Sequence, residues 1–541
     1  MSEGSALDHG VQRLIAELLV VRASGHLSDH QRRYPRWDLA NDELQALLEA
    51  GVGGVILLGG SAAELALRTR QLQSWAGRSL LLCADVEEGV GQRFEGSSWL
   101  VPPLALGRLH RRDPVAALEL ARRYGRCTGR EARAVGLNWV LAPVCDVNNN
   151  PANPVINVRA WGEDPATAGA LAAAFTHGLQ AEGVLGCAKH FPGHGDTASD
   201  SHLELPVLAH SRERLEAVEL PPFRDAIAAG VAAVMTAHLS LPALDPQRPA
   251  TLSAAVLSDL LREELGFAGL VVTDALVMEA IAGRYGAGEA AVLALEAGAD
   301  LVLMPADARS AITAIAAAVA EGRLERGRLE ASAARRRAAL AGLPQQGRTA
   351  ADPCQAAAED PALAQDLVNA TLEVRGRIQP PPAECPGVNL IRLDQALQAA
   401  FLPAGAPAIT LAAAAGFRPC LLAGDTLSPW SGNSQAPLNL ERLGEGPVLV
   451  QLFVRGNPFR GHAGGAEPWP AALGQLLDAG RLAGLVVYGS PYLWDALREL
   501  LPPGVPAAHS PGQMPLAQAG ALSGLGLGRR AVGQAAAGFT D

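Results

Sequence analysis

The chain has 541 residues, 49% of them hydrophobic, and a net charge of −11 from 44 Lys+Arg against 55 Asp+Glu. That length calls for more than one domain, and the hydrophobic share is enough for large cores. A net negative chain with dispersed arginines excludes a nucleic-acid footprint and a polybasic membrane anchor, and no run reaches the roughly 18–20 apolar residues of a membrane span.

The first 340 or so residues alternate short apolar runs with longer amphipathic stretches. The runs are LLVVRAS (18–24), GGVILLGG (53–60), SLLLCAD (79–85), LNWVLAP (137–143), VLGCAKH (184–190), VAAVMTAH (231–238), GLVVTDA (269–275) and ADLVLMP (299–305). Each is short enough for a buried parallel strand. Helical patterns lie between them, among them 42–50, 114–135 and 215–229. Eight βα units in this length predict a (β/α)8 TIM-type barrel over residues 1–342. No G-x-G-x-x-G follows the first run, which argues against a dinucleotide-binding sheet. A Gly- and Pro-punctuated stretch at 343–358 reads as a linker, and 359–541 as a smaller α/β sandwich with strands in RPCLLAGD, GPVLVQLFVRG, AGLVVYGS and VPAAHS.

Seven cysteines, far apart and without a C-x-x-C pair, read as reduced thiols. The N-terminus is acidic and its apolar stretch is interrupted by Glu17. With no signal peptide legible there, the expectation is a soluble, cytoplasmic protein.

Polar residues gather at the C-terminal ends of the predicted strands, where barrel enzymes assemble their sites. Asp85, Lys189, His190, His238 and Asp274 all stand there. Lys189 is the only lysine in the chain. A composition that has taken arginine everywhere else retains one compact ammonium, which suits a tight pocket where a planar guanidinium does not fit. Lys189 opens the segment KHFPGHGDTASDSH, which also holds His190, His194, Asp196, Asp200 and His202. Asp200 and His202 are placed to pair, the carboxylate fixing the imidazole for acid/base work. His190 and His194 have the i, i+4 spacing of a zinc helix, but Pro192 and Gly193 between them forbid that helix. A loop-built metal site stays open at this point.

Asp274 can serve as nucleophile, base or ligand, or as the N-cap of the next helix. Asp85 with Arg93 suits gripping of hydroxyls, or forms an internal ion pair. Arg159, in NPVINVRAWGEDP, either reaches the pocket or braces its loop against Glu163 or Asp164.

Together KHFPGHGDT…DSH, the D-x-E-x-G-x-x-Q-R-F stretch, N-V-R-A-W-G-E-D-P and V-T-D-A-L resemble glycoside hydrolase family 3, and most closely its β-N-acetylhexosaminidase branch. The resemblance covers the barrel; the second domain is similar to that of two-domain members only in general pattern. It implies a retaining exo-β-N-acetylglucosaminidase acting on small glycans, peptidoglycan fragments or chito-oligosaccharides. Asp274 would be the nucleophile, His202 the general acid/base and Asp200 its orienting partner. Asp85, Arg93, Arg159, Lys189 and His190 would hold the terminal sugar, with no cofactor and no metal. The family commonly reads D-Q-E-G-G-R-V where this chain has Asp85-Val86-Glu87-Glu88-Gly89-Val90-Gly91, so Glu88 and Val90 are expected to alter the loop and its outer subsite. The alternatives are a β-glucosidase or β-xylosidase of the same family, a metal-dependent hydrolase, a non-catalytic sugar-binding protein, or transfer to phosphate rather than water.

Overall fold

The computed structural model describes residues 3–197, 205–344, 359–393, 401–422, 438–455 and 467–528. It divides into two compact units, the first reaching to Leu363 and the second beginning at Ala364. The expected linker falls largely at 345–358, outside the described residues.

In the first unit every one of the apolar runs contains a strand: β1 (Leu19–Ser24), β2 (Gly54–Leu58), β3 (Leu81–Ala84), β4 (Trp139–Val140), β5 (Cys187–Phe191), β6 (Ala233–Thr236), β7 (Leu270–Val272) and β8 (Val302–Leu303). They form a curled, parallel arrangement of two sheets, ordered β4-β3-β2-β1-β8 and β5-β6-β7. Single parallel bridges, Trp139 to Leu185 and Val272 to Leu301, join the sheets at both seams. All eight strands or their immediate flanks feed one interior core, including Val20, Ile56, Cys83, Trp139, Cys187 and Met235. Strands buried on both faces explain why the runs read as continuous apolar stretches rather than alternating ones.

The helical stretch expected at 215–229 is broken. A π-type turn, Leu215–Glu219, precedes a helix at Pro221–Ala228. Pro221 and Pro222 have no N–H to donate back into the preceding turn, so a continuous α-helix cannot pass through them.

The second unit holds a six-stranded sheet in the order β11-β10-β12-β13-β14-β9. Its strands are β9 (Glu373–Arg375), β10 (Gly387–Arg392), β11 (Phe417–Leu422), β12 (Val448–Val454), β13 (Leu482–Gly489) and β14 (Ala507–Ser510). All pair in parallel except β9, which runs antiparallel along β14. Alternate residues feed two cores on opposite faces: Leu390, Val450 and Leu485 on one, Ile391, Leu449 and Val486 on the other. β10 lies inside this sheet and was not among the strands expected from the sequence.

Among the described residues no helix is long and apolar enough to cross a membrane. Six of the cysteines are described, and all six are free thiols.

Candidate active site

β3, β5 and β7 end at the same mouth, and their terminal residues share one pocket. Asp85 follows β3, Lys189 and His190 lie in β5, and Asp274 stands two residues beyond β7. All four line the pocket, together with Arg159 and His194.

Lys189 is 1% exposed, and its ammonium is held between two carboxylates, 2.7 Å from Asp85 Oδ1 and 2.6 Å from Glu87 Oε1. Glu87 in turn takes a bidentate pair from Arg159, Nε to Oε2 and Nη2 to Oε1, both at 2.8 Å. Burial works against each charge here, but the neighbours outweigh it. Arg159 and Lys189 hold the Glu87 carboxyl well below the usual range, and Asp85 and Glu87 raise the Lys189 pKa. Asp85–Lys189–Glu87–Arg159 is therefore a chain of alternating acidic and basic groups whose donors and acceptors are held in fixed positions. Of its two alternatives, Arg159 reaches the pocket, and Glu163 and Asp164 do other work. Glu163 pairs with Arg108 and Arg111, and Asp164 caps the helix Pro165–Ala181.

His190 Nδ1 donates to Asp146 Oδ2 at 2.7 Å. The same carboxylate accepts the backbone N–H groups of His190 and His194. Burial opposes the Asp146 charge, yet His190 and His194 bring its pKa below the ordinary value. A fully buried carboxylate thus fixes the orientation of His190, the support a working imidazole needs. His194 is buried and neutral, its pKa pushed down to about 4 by desolvation, and its Nδ1 lies 2.7 Å from Thr197 Oγ1. Asn153 staples the two loops. Its Nδ2 donates to the carbonyls of His194 and Gly195, and its Oδ1 accepts from the N–H of Val155 and Ile156. Lys189–His190 and Arg159 are thereby held in mutual register.

Asp274 is partly exposed, and its Oδ1 accepts the Ala275 N–H at 2.7 Å. The N-cap alternative falls away, because the following helix begins at Glu279 with Met278 at its cap. Arg93 does not line the pocket. Its side chain is exposed, and Nε donates to the Asp85 carbonyl at 3.1 Å, bracing the backbone of that loop. Glu88 and Val90 both point into packing: Glu88 Oε2 accepts the Trp99 indole N–H at 2.9 Å, and Val90 is fully buried. Asp200 and His202 lie outside the described residues. Glu87 and Asp146 were missed as site residues. Glu87 carries a sequence signal, an acid two residues beyond a strand-end aspartate; Asp146, in VCDVNNN, has none beyond its place after β4.

Among the described residues, two clusters of His, Cys, Asp and Glu are close enough to share a cation: Cys127, Glu131 and Asp360, and Asp196, His210 and Glu219. Neither includes a pocket residue.

Residues 11–338 match the family model "Glycosyl hydrolase family 3 N terminal domain", and residues 383–526 match "Bacterial Glycosyl hydrolase family 3 C-terminal domain". The chain belongs to glycosyl hydrolase family 3. It is 39% identical over 284 residues to a beta-hexosaminidase of Xylella fastidiosa strain M23, spanning 51% of this chain and 84% of that one. It is 37% identical over 262 residues to a beta-N-acetylglucosaminidase/beta-glucosidase of Cellulomonas fimi, spanning 47% of this chain and 45% of that one. A solved family 3 beta-N-acetylglucosaminidase from Paenibacillus sp. str. FPU-7 superposes with a TM-score of 0.76 at 29% identity, covering 96% of this chain and 97% of that one. This family 3 glycoside hydrolase therefore acts on carbohydrate.

Proposed function

We propose that the chain is a retaining, exo-acting β-N-acetylglucosaminidase that removes terminal β-linked GlcNAc from small glycans. The observation that carries this reading is the placement of Asp274, a carboxylate at a strand end, in the same pocket as the Asp85–Lys189–Glu87–Arg159 chain. Lys189, Asp85, Arg159 and His190 bind the hydroxyls of one terminal sugar. Asp274 attacks the anomeric carbon while the His202 imidazolium protonates the departing glycosidic oxygen. His202, now neutral, removes a proton from water, which opens the glycosyl-aspartate and regenerates both groups. Asp200 orients His202 through both half-reactions. The beta-hexosaminidase and beta-N-acetylglucosaminidase relatives support the choice of GlcNAc.

The scaffold is read as a (β/α)8 barrel, which the bridges at both seams and the shared interior core support. Residues 359–541 are read as the α/β sandwich, supported by cores on both faces of its sheet. Small peptidoglycan fragments or chito-oligosaccharides, in the cytoplasm, are the proposed substrates and setting. A β-glucosidase activity is the second reading, favoured by the C. fimi relative that carries both names. Hydrolysis of nitrophenyl β-GlcNAc compared with nitrophenyl β-glucoside separates the two. A preference for GlcNAc is expected, and a strong preference for glucose overturns the proposal.

A further inference from the structure

The Asp274–Ala275 segment is gripped from both sides by a buried polar chain that no step of the reaction above uses. The Asp274 N–H donates to Thr236 Oγ1 at 3.3 Å. Thr236 Oγ1 lies 2.8 Å from Thr251 Oγ1, and Thr251 Oγ1 lies 2.7 Å from His238 Nδ1. His238 Nε2 closes the circuit at 3.0 Å from the Ala275 carbonyl oxygen. Thr236, His238 and Thr251 are each 0% exposed. A carbonyl only accepts, so Nε2 carries the hydrogen toward Ala275, while Nδ1 faces the Thr251 hydroxyl, which is itself anchored at 2.9 Å from the Ala237 carbonyl oxygen.

Packing alone does not call for this arrangement. Apolar residues of similar shape would fill the same space without the cost of burying hydroxyls and an imidazole. What the chain adds is direction. Thr236 and His238 lie at the end of β6, the strand paired with β7, and Thr251 belongs to the turn Ala250–Leu252. They fix the amide entering Asp274 and the carbonyl leaving Ala275. The Asp274 carboxylate hangs from the same segment, because its Oδ1 accepts the Ala275 N–H.

We propose that His238, acting with Thr236 and Thr251, is a positioning residue that sets the Asp274 carboxylate on its line of attack at the anomeric carbon. This rests on the reading of Asp274 as nucleophile. A displacement of about 1 Å in a reacting group costs about 10²-fold in rate. Loosening the clamp should therefore slow formation of the glycosyl-enzyme without loosening the grip on the sugar, which belongs to Lys189, Asp85, Arg159 and His190.

The test compares wild type, His238→Leu, His238→Gln and Thr236→Val. The readouts are the rate of covalent labelling by a fluorinated GlcNAc analogue, the affinity for GlcNAc itself and the melting temperature. His238→Leu and Thr236→Val should label about 10- to 100-fold more slowly while binding GlcNAc within about twofold of wild type. His238→Gln, which keeps an amide donor for the Ala275 carbonyl, should recover most of the rate. Wild-type labelling rates in His238→Leu and Thr236→Val would overturn the inference. So would a loss of GlcNAc binding equal to the loss of labelling with no recovery in His238→Gln, because that marks a residue serving the fold alone. If His238→Leu does not fold, Thr236→Val decides the question by the same criteria. A wild-type label on a residue other than Asp274 would instead remove the nucleophile reading itself.

Discussion

Lys189 Nζ lies 2.6 Å from Glu87 Oε1, inside a pocket where Glu87 also neutralises Arg159. One carboxylate thus serves two cations, Lys189 buried and Arg159 nearly so. Removing one partner of a buried ion pair leaves an uncompensated charge, which is costlier than the pair was worth. Glu87→Gln keeps the shape and deletes the charge. It should destabilise the first unit by about 3–5 kcal/mol and raise KM, because both cations proposed to hold the sugar lose their fixed position. Denaturant unfolding alongside steady-state kinetics checks this; unchanged stability with unchanged KM would contradict it.

Lys189→Arg is the sharper test of why one lysine stands in a chain whose other cations are arginines. The site is 1% exposed and shaped around a compact three-donor charge between Asp85 and Glu87. A planar guanidinium cannot place single donors at both contacts without moving one carboxylate. We expect kcat/KM to fall about 10²-fold, with weaker GlcNAc binding contributing to the loss. Arginine tolerated at full activity would show that charge alone is required.

His194 gives a pH signature. Burial pushes its pKa down to about 4, whereas the unfolded chain protonates at the ordinary histidine value. Between those values the unfolded state holds a proton that the folded state does not, so stability falls as pH is lowered through that window. The contribution is roughly 3 kcal/mol, complete above about pH 6.5 and lost by about pH 4. Unfolding free energies measured across this range should show a shallower slope in His194→Gln than in wild type. Identical slopes would mean that His194 takes up its proton in the fold as readily as in the unfolded chain.

The first unit was legible because its strands are buried on both faces and their polar residues are confined to the ends. Asp85, Lys189, His190 and Asp274 stood out against apolar interiors, and the fold brings them to one pocket. Glu87 is marked only by its place beside Asp85, and Asp146 by nothing local, since their roles exist only through partners far away in sequence. Glu87 meets Arg159 across 72 residues, and Asp146 meets His190 across 44. β10 is hard to read because GVNLIR carries Asn389 and Arg392 and directly follows a proline-rich stretch at 380–386. In the fold Asn389 is satisfied by Gln451 and the Ala408 carbonyl, pairings that only the assembled sheet supplies. The break at Pro221–Pro222 was visible in the sequence, but the apolar periodicity around it outweighed the missing donors.

The most direct test of the account is to trap the glycosyl-enzyme with a fluorinated β-GlcNAc analogue and map the labelled peptide by mass spectrometry. The account predicts a single label on Asp274, absent in Asp274→Asn. A label on any other residue, or turnover without a covalent intermediate, would contradict it.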